Sequence, residues 1–251
     1  MQTIRLNSSG AQVSRWQFFL LGLGYTAIKA DGKFGPKTNQ ATIDFQQKNG
    51  LTGDGVVGEQ TYLKAFWAGY NSVEAREYPG KPSFRPLASN AERQKLFGKF
   101  TYKAAPNGSD IIVTGDWATK NLVKVAIPQL ASITGFPASG SITFHKLAAK
   151  QLQDMFAEWE QQQLIGRIKS WGGAYVARFV RGSQTTLSNH AFGTAFDINV
   201  PWNGLGRMPA LIGQEGSVRE LVKIAHKHGF YWGGHFTRLD GMHFEVAKII
   251  K

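Results

Sequence analysis

The feature that most restricts what this chain can fold into is an eight-residue pattern used twice. Asp31-Gly32-Lys33-Phe34-Gly35-Pro36-Lys37-Thr38 is echoed by Asp54-Gly55-Val56-Val57-Gly58-Glu59-Gln60-Thr61, each copy reading D-G-x-apolar-G-x-x-T. Such self-similarity marks one supersecondary unit built twice. The early glycines suit tight turns, and Pro36 suits a first helical turn. After the first copy, Thr38, Ala41, Thr42 and Phe45 share one helical face, and upstream Val13, Trp16, Leu20 and Leu23 mark another. Three short helices packed together predict a small all-α unit over residues 1–67.

Residues 68–90 lose this periodicity, with Tyr78-Pro79-Gly80-Lys81-Pro82 and Arg85-Pro86 reading as a linker. From 91 to 251, a helix-like stretch at 148–163 mixes with strand-like runs at 110–114 and 196–200. That mixture predicts an α+β domain with a small antiparallel sheet.

Composition narrows the chemistry. There is no cysteine among the 251 residues, so a metal must be held by His, Asp or Glu. The formal charge of +12 implies an anionic partner, and the basic residues are scattered rather than gathered into an arm of the nucleic-acid type. Charge alone does not choose among nucleic acid, anionic lipid and bacterial wall polymer, and the expectation of no nucleic-acid partner rests on the family resemblance. The apolar stretch 16–23 is too short to span a bilayer and lacks a cleavage site after it, so neither a signal peptide nor stable membrane insertion is expected.

Two stretches carry candidate chemistry. In Ser188-Asn189-His190-Ala191-Phe192-Gly193-Thr194-Ala195-Phe196-Asp197-Ile198-Asn199-Val200, alternation places Ala195, Asp197 and Asn199 on one face and Phe196, Ile198 and Val200 on the other. A straight strand would hold His190 and Asp197 more than ~20 Å apart, so the chain must bend, and Gly193 offers the bend. In Asp240-Gly241-Met242-His243-Phe244-Glu245-Val246, Met242, Phe244 and Val246 turn inward while His243 and Glu245 face a cleft. Asp240, before flexible Gly241, can return its carboxylate to the same place. His190, Asp197 and His243 together make a sensible zinc set with an open fourth position, and Asp240 has the chemistry of a general base.

Other conspicuous residues read as structural. His226 and His228 close a helix expected to begin at Ser217 with a Ser217/Glu220 capping box. His145 stands in no cluster, His235 reads as a loop histidine with a substrate contact as the alternative, and Trp171, Trp202 and Trp232 suit packing and a sugar-stacking platform equally.

Residues 1–67 resemble the peptidoglycan-binding domain attached to many wall hydrolases. The resemblance lies in Gly10 with Val13, Leu23-Gly24-Tyr25, both repeat copies, Phe45-Gln46 and Gly50-Leu51. The C-terminal part resembles the zinc metallopeptidases of the D-alanyl-D-alanine carboxypeptidase family, which also contains phage L-alanyl-D-glutamate endopeptidases. Its S-x-H-x-x-G-x-A-x-D pattern is filled by Ser188, His190, Gly193, Ala195 and Asp197, and its acid three before the last histidine by Asp240 and His243. The resemblance implies that His190, Asp197 and His243 bind Zn²⁺, that Asp240 is the base, and that an upstream arginine steadies the oxyanion. Arg178 and Arg181 are the candidates, with Arg178 preferred for lying in an alternating run.

The implied function is zinc-dependent hydrolysis of an amide bond in the peptidoglycan stem peptide. A monomeric endolysin of the L-alanyl-D-glutamate endopeptidase type is expected, made in the cytoplasm and acting on the cell wall after release. A D-alanyl-D-alanine carboxypeptidase, a bacterial autolysin and a non-catalytic wall-binding protein are the alternatives. A muramidase would need two carboxylates flanking a sugar bond, and no such pair stands out in the sequence.

Overall fold

The computed structural model describes residues 1–70, 78–212 and 214–250. Residues 71–77 of the expected linker, and Lys251, lie outside the described residues.

The repeat has a physical cause. Helix α1 (Ala11–Gly22) presents buried Gln17 to the first copy, and helix α2 (Pro36–Lys48) presents buried Gln46 to the second. Gln17 accepts from Gly32 N–H at 2.9 Å and donates to Asp31, the Lys33 carbonyl and Thr38. Gln46 repeats this atom for atom, accepting from Gly55 N–H at 2.9 Å and donating to Asp54, the Val56 carbonyl and Thr61. Gly32 and Gly55 take φ of 74° and 72°, the left-handed region where glycine carries no steric penalty. The apolar fourth positions, Phe34 and Val57, are buried. Gly35 and Gly58 then cap α2 and helix α3 (Glu59–Trp67).

These helices enclose a cluster around Trp16, Phe19, Phe45 and Tyr62. Tyr70, three residues past the expected end of the unit, is fully buried in it. Leu211 from the C-terminal half joins the same cluster, so close to Gly22 that a Cβ there would stand 2.6 Å from the leucine.

The second half begins with helix α4 (Asn90–Phe97) and the antiparallel pair β1 (Thr101–Ala104) and β2 (Ile111–Thr114). Helix α5 (Trp117–Asn121) leads into β3 (Leu122–Ala126), which pairs with β4 (Ser141–His145), and helix α6 (Ala149–Gln161) follows. The central sheet is antiparallel in the order β5-β6-β8-β7, from β5 (Trp171–Gly173), β6 (Ala195–Ile198), β7 (Phe230–Trp232) and β8 (His243–Val246), with helix α7 (Arg219–Lys227) before β7. Phe196 of β6 stacks on Trp171 at 5.7 Å and on Phe244 at 5.4 Å. Burying each such ring stabilises by about 1.5–3 kcal/mol, which fixes the register of the sheet that carries the site. The α+β architecture with a small antiparallel sheet and a helical N-terminal unit is as expected. No helix among the described residues is long and apolar enough to cross a membrane.

Three local expectations are corrected. Val200 is 37% exposed rather than inward-facing, because Asn199 takes φ 54° and ends the alternation. The Asn199 side chain is then buried, holding the amides of Lys169 and Ser170 and the carbonyls of Arg167 and Gly216. Helix α7 starts at Arg219 without the Ser217/Glu220 capping box; the Ser217 hydroxyl donates to the Ala210 carbonyl, and Glu220 accepts from Arg167 at 2.9 Å. Leu23 caps α1 from the exposed side instead of joining the core.

The described part of the expected linker is packed at its start, at Tyr78 and Pro79, while Lys81, Ser83 and Arg85 are exposed. The Tyr78 hydroxyl donates to the Gly234 carbonyl, Arg219 lies 4.9 Å over the Tyr78 ring, and His235 Nε2 donates to the Pro79 carbonyl at 2.7 Å.

Candidate metal centre

The antiparallel register sets Asp197 on β6 directly opposite His243 on β8. Directly opposed residues stand about 4.5–5.5 Å apart at Cβ, so two donors on one face must meet. His190 reaches the same point from a single turn of 3-10 helix (Asn189–Phe192) that ends in Gly193 at φ 64°. This is the bend the spacing required. A side chain at Gly193 would also strike Leu122, its Cβ standing 2.7 Å away.

The three donor atoms converge. His243 Nδ1 lies 3.0 Å from Asp197 Oδ1 and 3.2 Å from His190 Nε2, and His190 Nε2 lies 3.3 Å from Asp197 Oδ1. Ligands at about 2.0–2.1 Å from a tetrahedral ion stand about 3.3 Å from one another, close to this triangle. The other ring nitrogens decide the tautomers. His190 Nδ1 sits 2.5 Å from the Ala174 carbonyl, and His243 Nε2 sits 3.0 Å from Glu245 Oε2. Carbonyl and carboxylate oxygens only accept, so those nitrogens carry the protons and the opposite lone pairs point inward. Two lone pairs and a carboxylate oxygen then face one point, an arrangement that calls for a cation. His190, Asp197 and His243 are a group that could hold a metal ion.

Without a metal, a proton takes that place. Burial would lower the His243 pKa, but hydrogen bonds and charge from Asp197 and Glu245 overcome it and push the imidazole up to about 10. Burial likewise raises the Asp197 carboxyl, and the two histidines outweigh it, holding it well below the usual carboxylate range.

Asp197 and His243 line a cavity of about 310 Å³ together with Asp240, Arg178 and Arg181, and His190 lies behind them at the trio. The backbone places Asp240, whose carbonyl accepts from His243 N–H at 3.0 Å. Gly233 packs beneath, and an added Cβ would lie 2.4 Å from the Asp240 carbonyl and 3.1 Å from His243 Cβ. Asp240 Oδ1 is buried without a hydrogen-bond partner, and burial raises the carboxyl's pKa. Arg178 is half-buried, bridged to Asp110 rather than set in a continuous strand, and feels the attraction of Asp197 and Asp240. Arg181 is exposed at the rim. Both arginines reach the cavity, so the structure brings together all six expected site residues.

The remaining histidines stand apart. Buried His145 packs on Phe97 and Trp117, and His228 pairs with Glu158 at 2.7 Å. His226 and His235 pack against one another at 5.3 Å. Trp171 and Trp232 are buried packing residues.

Sequence reading missed Asn189 and the role of Glu245. Glu245 accepts from both His243 and Asn189, the latter at 2.5 Å, and so holds a candidate ligand's ring in place. Its signal was its position two residues after His243 on the same strand face. It also missed Arg93, Phe236 and Arg238, which line the cavity from distant segments.

Comparison with known families agrees with both motif readings. Residues 181–246 match the family described as D-alanyl-D-alanine carboxypeptidase, and residues 9–64 match the peptidoglycan binding domain. One similar solved structure is a fused Zn-dependent amidase/peptidase/peptidoglycan-binding domain-containing protein from Clostridium acetobutylicum, 28% identical over 45% of this chain, with a TM-score of 0.26. This chain spans 54% of that protein's length.

Proposed function

We propose that a chain with a C-terminal segment of the D-alanyl-D-alanine carboxypeptidase type and an N-terminal segment of the peptidoglycan-binding type is a zinc peptidase acting on peptidoglycan. The observation that carries this reading is the inward convergence of the His190, His243 and Asp197 donors beside an unpartnered carboxylate. The donor set fits zinc, and the ion when bound supplies a Lewis acid that polarises the scissile carbonyl and acidifies the attacking water. Asp240 takes the proton from that water and returns it to the leaving amine, a task suited to a carboxyl whose pKa is raised by burial. Arg178 or Arg181 meets the charge that develops on the carbonyl oxygen.

The finer reading is cleavage between L-alanine and D-glutamate by an endolysin acting on the cell wall. A unit that holds the enzyme on the polymer favours a cut that opens the mesh, and trimming a terminal D-alanine does not open it. Residues 1–70 form the wall-binding unit in this proposal, and residues from about 78 onward form the peptidase. A purely structural metal site is disfavoured, because such sites are closed by a fourth ligand and need no spare carboxylate. The test is digestion of purified peptidoglycan followed by mass spectrometry. New L-alanine C-termini on sugar-linked fragments are expected, loss of a single D-alanine supports the carboxypeptidase alternative, and new reducing ends overturn the peptidase reading.

A further inference from the structure

The metal cavity holds a buried charge that the proposed hydrolysis leaves unused. Arg93 on α4 is 6% exposed, and its Nε and Nη1 are both shielded from solvent without a hydrogen-bond partner. A guanidinium stays protonated in proteins, so two nitrogens without partners on a buried cation are costly. Buried polar groups are nearly always satisfied; Nη2 is not shielded in this way, so an anion in the cavity can meet the guanidinium there and offset its uncompensated charge. Attraction from Glu245 offsets part of the burial of Arg93. That carboxylate is already engaged by Asn189 and His243, and the described residues show no hydrogen bond between it and Arg93.

The position of Arg93 is imposed by its helix. Ser89 and Glu92 form a capping box at the start of α4. The Asn90 side chain donates to the Thr185 carbonyl and accepts from Leu187 N–H, each at 2.8 Å. The helix is thereby tied to the segment that runs into Ser188 and His190, and Arg93 becomes part of the cavity wall. Arg178, Arg181 and Arg238 share that wall, against three carboxylates of which Asp197 faces the two histidines.

We infer that Arg93 is the carboxylate anchor of this cavity. Its guanidinium, reached through Nη2, pairs with a free carboxylate of the substrate while the neighbouring amide lies at the His190–Asp197–His243 trio. The inference rests on the peptidase reading for its substrate class, a wall stem peptide. Two carboxylates of a stem have this chemistry, the C-terminal one and the free α-carboxylate of a γ-linked D-glutamate.

Calorimetric titration of the zinc-loaded Asp240→Asn protein, which cannot consume its ligand, tests the assignment. The probes are L-Ala-γ-D-Glu-L-Lys-D-Ala-D-Ala, its C-terminal amide and its D-isoglutamine form. A charge-assisted pair predicts that one amidated form binds between about 10- and 100-fold more weakly than the acid, and which one it is identifies the carboxylate. Adding Arg93→Gln should bring the three affinities within about 3-fold of one another, and Arg93→Lys should restore part of the preference. A merely structural arginine would leave the acid-to-amide ratio unchanged. Equal binding of all three probes to the protein that retains Arg93, binding of none, or a preference that survives Arg93→Gln overturns the assignment. Failure of the peptidase reading looks different: an Arg93-dependent carboxylate preference in a protein that releases no amino groups from the wall.

Discussion

His243 faces Asp197 directly across the β6–β8 ladder, with Nδ1 and Oδ1 3.0 Å apart. A one-residue slip of that register would turn one of the two donors toward the aromatic core, so the stacking of Phe196 on Phe244 and the candidate metal site depend on the same pairing.

The same pair sets the pH response of metal uptake. In the metal-free protein the His243 pKa is raised to about 10, so its proton stabilises the fold fully below the unfolded value near 6.5, and that stabilisation is lost as pH rises through about 10. Zinc must displace this proton. Apparent affinity should therefore rise by up to about tenfold per pH unit between pH 6.5 and 8.5, measured by competition with a chelator of known strength. Affinity independent of pH across this window would contradict the protonated trio.

Glu245 should matter nearly as much as a ligand. Glu245→Ala removes the acceptor for both His243 and Asn189, and zinc affinity should fall about 10–100-fold with the secondary structure retained. Unchanged affinity in the same competition assay would show that the His243 ring is held by other contacts.

Much of the metal site is legible in the sequence, for identifiable reasons. Alternation in two short strands shows which faces Asp197 and His243 occupy, and the spacing from His190 demands the bend that Gly193 makes. What the strands cannot show is their pairing, which is set by tertiary aromatic packing. Glu245 escaped because a carboxylate beside a ligand reads as one more polar strand position. Arg93 escaped because α4 is short, is polar over most of its length, and reaches the cavity through contacts with residues more than 90 positions later. At Val200 and Ser217, periodicity and capping patterns were overruled by the turn that buried Asn199 holds open.

The two-fold use of the glutamine clamp predicts modular damage. Gln46→Ala leaves Gly55 N–H and Thr61 short of a partner, at a cost of about 1–3 kcal/mol to the N-terminal unit. Sedimentation with peptidoglycan should weaken while cleavage of soluble muropeptides persists. Equal loss of both activities would contradict separate roles for the two halves.

Asp240→Ala should reduce turnover by about 10²–10⁴-fold and leave zinc bound, as expected for a general base outside the donor triangle. His190→Ala should lose both. Metal analysis of the purified variants separates the cases, and loss of zinc from Asp240→Ala would make Asp240 a ligand.

The most direct measurement is the release of new amino groups from purified peptidoglycan by the zinc-loaded protein, followed beside reducing ends. Amino groups should appear without reducing ends, stop on chelation and return with added Zn²⁺. Release that continues after verified removal of the metal, or reducing ends in place of amino groups, would contradict a zinc peptidase built on His190, Asp197 and His243.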